Sequence, residues 1–431
     1  MKCTGGTGNE RGNKLARRDL IAALDIGSSK ICCFIGRRDG DDRVQITGIG
    51  HQASRGVKGG AIVDMDAAEE AIKATVHAAE RMAGETARDV VVGIAGGQPA
   101  SRLIDVQIGV NGGPVRDADL RRLLYGGLPE AEPDRALLHA IPVGYSIDGS
   151  NGIRDPRGMH GQTLAVHVHQ VTAAVSAVRN VTTCVERCHL NVGEVVANPY
   201  AAGLAALVSD ETELGVTVID MGGGATSLAV FVEGSPVFTD CVPVGGIHVT
   251  NDIARGLATP LAHAERLKAL HGSALPSPSD DRETVVAPQI GEEEGSEPNQ
   301  VSKSFLVSII APRIEETLEL VRARLDAGGV SQVAGRRVVL VGGASQLPGV
   351  PELAARILDK QVRLGRPAHV GGLAASTNGP AFAACAGLMR YSQEDTGDLR
   401  AHAVSRPPAG EGFLARLGPL ARVGGWLREN I

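Results

Sequence analysis

The chain is poor in aromatic residues and has no excess of positive charge. Its 431 residues include only 6 Phe, 4 Tyr and 1 Trp, and 43 Lys and Arg against 49 Asp and Glu give a formal charge of −6. This balance excludes a general attraction for nucleic acid backbones. A hydrophobic fraction of 43% also argues against intrinsic disorder. A chain of this length is expected to form roughly two to four domains, at about 100–200 residues each.

Cysteines and long apolar runs are scarce as well. The seven cysteines form no disulfide framework, and the adjacent pair Cys32 and Cys33 lies in an apolar run, which predicts burial. Cys184, Cys188 and His189 could share a helix face, but they lack a fourth ligand, so a zinc site is not favoured. No apolar run approaches the ~20 residues of a membrane-spanning helix, and no secretory leader is visible. We therefore expect no membrane span.

A strand–aspartate–turn–strand pattern occurs twice. The first apolar run ends at Asp25 and turns through Gly27-Ser28-Ser29-Lys30, and the second ends at Asp220 and turns through Gly222-Gly223-Gly224 before Thr226. The two aspartates lie about 195 residues apart. Repetition of this kind predicts two similar α/β halves around a shared cleft.

The residue types of both turns suit phosphate binding. Glycine allows backbone N–H groups to approach phosphate oxygens closely, hydroxyls can donate hydrogen bonds, and a lysine supplies positive charge. Because Asp25 and Asp220 would repel phosphate, we expect them to hold Mg²⁺ through its waters. The predicted phosphate contacts are Gly27, Ser28, Ser29, Lys30, Gly222, Gly223, Gly224 and Thr226.

A third turn, Gly342-Gly343-Ala344, follows an apolar run and suits contact with a base or its ribose. Glu265 and Lys268 are spaced i, i+3 on a predicted helix, so both can face ribose hydroxyls. A single Asp–Gly turn usually closes a hairpin and binds nothing. Three such turns in this order are a far more specific indication of phosphate binding.

The sequence resembles the actin/hexokinase/heat-shock-protein-70 ATPase superfamily and, within it, the FtsA family of bacterial cell-division proteins. The stretches that carry this resemblance are residues 25–30, 144–149, 152–161, 218–224 and 264–272. The resemblance implies an α/β fold of the actin-like type, two-lobed and duplicated, with a small α+β inserted subdomain.

The predicted organisation has seven parts. They are an N-terminal tail (1–18), a first lobe (19–88 and 173–213), the inserted subdomain (89–172), a second-lobe core (214–250 and 304–390), a second-lobe outer subdomain (251–303), a linker (391–411) and an amphipathic segment (412–431). Within the outer subdomain, residues 273–303 include an acidic stretch (280–298) and predict a mobile excursion.

The resemblance implies a cell-division protein that binds ATP with Mg²⁺ and polymerises. It also implies that the tail of the tubulin-like protein FtsZ docks on the second lobe and that later division proteins engage the inserted subdomain. Asn198 stands where active relatives carry Glu, Asp or Gln, and it can position water but cannot act as a base. We therefore expect slow hydrolysis or none. The alternatives are a small-molecule kinase of the sugar or acetate type, which needs a catalytic aspartate, and a pilus-assembly relative.

The last twenty residues have an amphipathic pattern. Arg422 and Glu429 lie opposite an apolar stripe, and Pro419 and Gly424 are poor helix formers, so the helix is expected to form on lipid or on a partner. A terminal helix that docks on the protein's own core is the alternative. The resemblance favours a membrane anchor on the cytoplasmic side of the inner membrane at the division site. The predicted membrane residues are Phe413, Leu414, Arg416, Leu417, Leu420, Val423, Trp426, Leu427 and Arg428.

Overall fold

The computed structural model describes residues 20–38, 44–126, 131–291, 299–393 and 398–399. They group into two compact units. The main unit lies within Met1–Leu103, Ala131–Leu137 and Val171–Glu394, and the inserted unit lies within Ile104–Glu130, Leu138–Gln170 and Asp395–Ile431.

The strands and helices alternate along the chain. The strands are β1 Leu20–Ile26, β2 Lys30–Arg38, β3 Val44–Ala53, β4 Val57–Lys58, β5 Ala61–Ile62, β6 Asp89–Ile94, β7 Ala100–Gly109, β8 Arg135–Ile147, β9 Ser150–Ile153, β10 Thr163–Ala174, β11 Asn191–Ala197, β12 Val216–Met221, β13 Thr226–Val232, β14 Ser235–Val242, β15 Thr284–Val286, β16 Gln300–Ser302, β17 Arg337–Val341, β18 Gln361–Leu364 and β19 Val370–Gly371. The helices are α1 Met65–Ala83, α2 Asp117–Gly126, α3 Val175–Arg187, α4 Asn198–Ala206, α5 Ser209–Leu214, α6 Gly246–Gly256, α7 Leu261–His271, α8 Lys303–Ala327, α9 Val350–Leu358 and α10 Ala383–Tyr391.

Two sheets of the main unit share a five-stranded topology, to which the first sheet adds β19 beside β3. The first has the order β11-β6-β1-β2-β3-β19, and the second has the order β14-β13-β12-β17-β18. In each, three consecutive strands form an antiparallel meander, and two later strands add in parallel beside the first strand. The predicted duplication of an α/β half is therefore confirmed. Cys32 and Cys33 are fully buried on β2, as predicted.

Two helices lie between these sheets and cross from one half to the other. Helix α4 follows β11 of the first sheet but packs on β12 and β13 of the second. Helix α10 comes after β18 of the second sheet and the short β19 of the first, and it packs on β1, β2 and β6 of the first. Both helices are rich in Ala and Gly, which allows their backbones to approach closely. A Cβ added at Gly387 would lie 1.7 Å from the carbonyl oxygen of Ala201.

Two predicted boundaries and one predicted mobile segment need correction. Strand β6 pairs with β1 and β11, so residues 89–94 belong to the first sheet and the inserted unit begins at Ile104. The second-lobe core does not extend to residue 390, because α10 packs on the first sheet. The mobile excursion is also wrong for 273–291 and 299–303. There β15 and β16 pair, and Val285 and Ala287 are buried in the core of the second half.

The inserted unit is built on a four-stranded sheet with the order β7-β10-β8-β9. Helix α2 contributes Leu120 and Leu123 to its buried residues. At the main-unit end of these strands, the Arg135 guanidinium donates to the carbonyl of Gln98 (2.9 Å) and to the hydroxyl (3.1 Å) and carbonyl (2.8 Å) of Thr172. This side chain therefore ties together the three chain segments that enter and leave the insert.

Among the described residues, no helix is long and apolar enough to cross a membrane. The predicted tail at 1–18, part of the acidic stretch and the amphipathic segment at 412–431 lie outside the described residues. The linker prediction at 391–411 is wrong for the described residues Asp398 and Leu399, which are buried.

Replacing Gly387 with alanine should destabilise the protein. Alanine normally stabilises a helix relative to glycine, by up to about 1 kcal/mol. Here the added methyl group would collide with the α4 backbone, and we expect a loss of about 3 kcal/mol or more. Urea denaturation followed by circular dichroism measures the change. Gly144→Ala is the control, because its Cβ would enter open space, and equal stability of the two variants would contradict the α4–α10 packing.

Candidate functional site

The two repeated aspartates occupy equivalent places in the two sheets. Asp25 lies near the end of β1 and Asp220 near the end of β12, and each is only 8% exposed. Burial and, after it, the negative charge of Asp25 raise the pKa of Asp220 to about 7. Burial also raises the pKa of Asp25, although the Lys30 charge and a hydrogen bond from Asn198 oppose this. Two buried carboxyls that repel each other favour a proton or a cation between them.

Asn198 begins α4 and contacts the first aspartate directly. Its Nδ2 donates to Oδ1 of Asp25 at 2.9 Å. Its own Oδ1 is buried and accepts no hydrogen bond from the described residues. Gly93 on β6 leaves the room for this amide, because a Cβ there would lie 2.4 Å from the Asn198 Oδ1. Asn198 therefore positions Asp25 and keeps one acceptor for a ligand, an ion or water.

The two Asp–Gly turns face each other. A Cβ at Gly223 would lie 2.7 Å from the Ser29 Oγ, and a Cβ at Gly224 would lie 2.4 Å from the Ser28 Oγ. Any larger side chain at either glycine would collide with the serine turn. The structure thus brings together the two turns that the sequence predicted as partners.

The remaining glycines of the two turns have matching roles. The Gly27 N–H donates to the Lys30 carbonyl and the Gly222 N–H to the Ala225 carbonyl, both at 3.0 Å. Each bond closes the connection between the first two strands of its sheet. The two turns are therefore equivalent in local structure as well as in topology.

A hairpin that is absent from the predicted elements covers the serine turn. Strands β4 and β5 pair, and the Gly60 N–H donates to the Ser28 Oγ at 2.7 Å. A Cβ at Gly224 would also lie 2.8 Å from the Cα of Gly59, and a Cβ at Gly60 would lie 2.6 Å from the Cα of Gly96. The hairpin therefore contacts both turns and the loop between β6 and β7. The adjacent Gly59 and Gly60 were the available signal.

Two predicted phosphate contacts have other partners. The Thr226 side chain is fully buried, and its hydroxyl donates to the Val244 carbonyl at 2.8 Å. The prediction that this hydroxyl contacts phosphate is therefore corrected, because the hydroxyl has a structural role instead. The Lys30 ammonium donates to the Ala381 carbonyl and lies 3.5 Å from the centroid of the Phe382 ring. From this position its positive charge acts to lower the pKa of Asp25 and of Asp220, which partly opposes the rise that burial causes.

The third turn lies against the second aspartate. Gly342 has a φ of +85°, and a Cβ on it would lie 2.4 Å from both Oδ1 of Asp220 and the Met221 carbonyl oxygen. Gly343 has open space where its Cβ would be. This turn can therefore present its backbone to a flat ligand group beside the carboxyl pair.

Glu265 and Lys268 lie beside the third turn. The Lys268 ammonium donates to the Gly246 carbonyl (3.0 Å), the Thr250 hydroxyl (2.8 Å) and the Glu265 carboxylate (2.7 Å). A Cβ at Gly246 would lie 3.6 Å from the Lys268 Nζ and 3.3 Å from the Ala344 Cβ. The predicted ribose contacts and the predicted base contacts therefore adjoin.

A divalent ion at this site would depend on few protein ligands. Among the described residues, no group of three or more His, Cys, Asp or Glu side chains could hold a metal ion. Asp25 and Asp220 supply carboxylate oxygens, the ligand type that Mg²⁺ prefers, and this ion commonly keeps several waters. The remaining ligands would come from water or from a bound anion.

The architecture is similar to that of solved actin-like proteins. The chain aligns with a type IV pilus biogenesis complex of PilM and PilN at a TM-score of 0.60 and 18% identity, covering 87% of this chain and 98% of the other. It aligns with MreB5 of Spiroplasma citri bound to ADP at a TM-score of 0.51 and 14% identity, covering 86% and 94%. At these identities the likeness shows the fold, which is actin-like.

Sequence comparisons resolve the family. Residues 217–387 match the model for cell division protein FtsA, and residues 96–172 match the SHS2 domain inserted in FtsA. The chain is 48% identical to the cell division protein FtsA of Agrobacterium fabrum, covering 96% of both chains. It is 35% identical to that of Pseudomonas aeruginosa (90% and 92% covered) and 30% identical to that of Escherichia coli (97% and 100% covered). The chain therefore belongs to the FtsA family of cell division proteins.

Proposed function

We propose that the cleft between the two sheets binds ATP with Mg²⁺. The observation that carries the proposal is the buried pair Asp25 and Asp220, with the Gly223-Gly224 turn facing the serine turn beside it. The residues fit such a ligand in three respects. The glycines leave a cradle that a Cβ would fill, the Asn198 Oδ1 lacks a partner among the described residues, and the carboxyls suit a hard cation.

Each part of the site would have a separate task. The backbone N–H groups of the two turns would bind phosphate oxygens, and the third turn with Glu265 and Lys268 would hold the nucleoside. The aspartates would hold Mg²⁺ through its waters, and the ion would neutralise the charge on the phosphates. Asn198 would keep Asp25 oriented and position water, but its amide cannot accept a proton. We therefore infer slow hydrolysis or none.

The proposed role in division is structural. ATP would favour closure of the cleft and assembly into filaments, and the segment 412–431 would anchor them to the inner face of the cytoplasmic membrane. The FtsZ tail would dock on the second lobe, and later division proteins would engage the inserted subdomain. Support comes from membership of the FtsA family and from the amphipathic pattern of the segment. One short helix is a weak anchor, and polymerisation would strengthen it through effective concentration.

Replacing Asp220 should weaken nucleotide binding. Asp220→Ala removes one of the two carboxylates proposed to hold Mg²⁺, and we expect the affinity for Mg²⁺–ATP to fall about tenfold or more. Isothermal titration calorimetry measures it. Asp155→Ala is the matched control, because this aspartate is 61% exposed in the inserted unit. Equal affinities of the two variants for Mg²⁺–ATP would refute the site.

The buried Asp220 should also make the nucleotide-free protein sensitive to pH. Its pKa is raised from 3.8 to about 7, so the folded state favours the protonated form. The associated stability is present at low pH and is lost as the pH rises through about 7. Without Mg²⁺, Asp220→Asn should therefore gain thermal stability relative to the wild type between pH 5.5 and pH 8. A constant difference in melting temperature between the two would contradict the burial of this charge.

Membrane binding should depend on the C-terminal segment. The full chain should pellet with vesicles containing an anionic phospholipid, and a form ending at residue 410 should remain in the supernatant. Leu420→Glu places a charge on the apolar stripe and should lower binding about tenfold or more. Glu429→Ala, on the opposite face, is its control. Equal pelleting of the full and shortened chains would refute the anchor.

A further inference from the structure

Two residues beyond the last helix are buried against the inserted unit. Asp398 is fully buried and Leu399 is 6% exposed. Both fall within the region predicted as a free linker between the body and the amphipathic segment. A fully buried carboxylate in such a region needs specific partners, because an unpaired buried charge is costly.

The inserted unit supplies two of these partners from one strand. The Nδ1 of His139 lies 2.7 Å from Oδ2 of Asp398, and the Ala140 N–H donates to Oδ1 at 3.1 Å. Both side chains of the His139–Asp398 pair are fully buried. A carboxylate held by a ring nitrogen and a backbone N–H from consecutive residues has a fixed orientation.

The contact covers a strand edge. Strand β8 is flanked by β10 on one side, while β9 pairs with it on the other side only at Tyr145 and Ile147. Among the described residues, no strand covers that edge over 138–144, and Pro142 in this stretch is a residue typical of edge strands. The Ala140 N–H is an edge donor, and Asp398 satisfies it in place of a neighbouring strand.

A second histidine lies near the pair without competing for it. His169 on β10 is buried, and neither of its ring nitrogens has a hydrogen-bond partner among the described residues. Burial and, next, the nearby His139 lower the pKa of His169 to about 3, whereas Asp398 acts in the opposite direction. His169 is therefore neutral near pH 7, and the carboxyl group of Asp398 is the group that contacts the His139 ring.

We propose that Asp398 and Leu399 form a latch that fastens the chain to the edge of β8 in the inserted unit. The inserted unit, and not the end of α10, is then the point from which the C-terminal segment leaves the body. The latch itself rests on the contacts above, and its consequence for membrane attachment rests on the proposed function.

The latch sets how far the amphipathic segment reaches. From residue 391 to residue 412, an extended chain spans about 75 Å, and from residue 399 it spans about 45 Å. A closed latch thus holds the membrane near the inserted unit. Its opening would lengthen the tether by roughly two-thirds.

The test uses the full chain without lipid or nucleotide, so failure of the membrane proposal would not affect it. Asp398→Asn should speed hydrogen exchange at the Ala140 N–H, and trypsin cleavage after Arg400, each about tenfold. Cleavage after Arg416, in the segment beyond, should keep its wild-type rate. Asp395→Asn makes the same charge change three residues earlier and is the matched control.

Wild-type rates at both Ala140 and Arg400 in Asp398→Asn would overturn the proposal. Exchange at Val166, in the middle of β10, reports whether the inserted unit stays folded. If Asp398→Asn speeds this exchange too, Leu399→Ala decides, since it leaves the contact between Asp398 and His139 intact. A higher ratio of cleavage after Arg400 to cleavage after Arg416 then supports the latch, and an unchanged ratio refutes it.

Discussion

The site depends on two carboxyl groups that are held out of water within each other's field. Asp25 and Asp220 end equivalent strands of two sheets with the same topology, so the duplication itself brings two like charges to one place. In a medium of low polarity this arrangement favours a proton or a cation, and the raised pKa of both groups expresses that preference. A cation bound between the two carboxyl groups would therefore stabilise the arrangement in which the two halves lie close together.

The backbone around these carboxyl groups leaves no room for a side chain at three glycine positions. Gly342 leaves room for Asp220, Gly93 leaves room for the amide that holds Asp25, and Gly224 leaves room for Ser28. Each of these contacts joins residues that are distant in the sequence. Replacement of any of the three glycines would disturb the carboxyl pair or a facing turn, and this ties the local turns to the global fold.

The sequence predicts those parts of the site that are local and repeated. An apolar run ending in aspartate and a glycine-rich turn identifies Asp25 and Asp220, because strand, acid and turn are adjacent in the chain. It does not predict the β4–β5 hairpin, whose strands are two residues long and whose position depends on Ser28 and Gly96. The small residues of α10 predict that this helix is buried, but they do not indicate which sheet it packs on. Similarly, the role of Asp398 depends on its contact with His139, which the sequence does not indicate.

Five aromatic residues pack around the two helices that lie where the halves meet. Tyr200 of α4 stacks on Phe231 and makes an edge contact with Tyr391 of α10, each at 6.1 Å between centroids, while Phe34 stacks on Phe382 at 6.2 Å. Around them, Ala and Gly let α4 and α10 approach backbone to backbone. Because these helices pack directly on β1 and β12, their packing fixes the strands that carry the aspartates. The separation of the two carboxyl groups therefore depends on this layer, and so would the proposed binding of a cation between them.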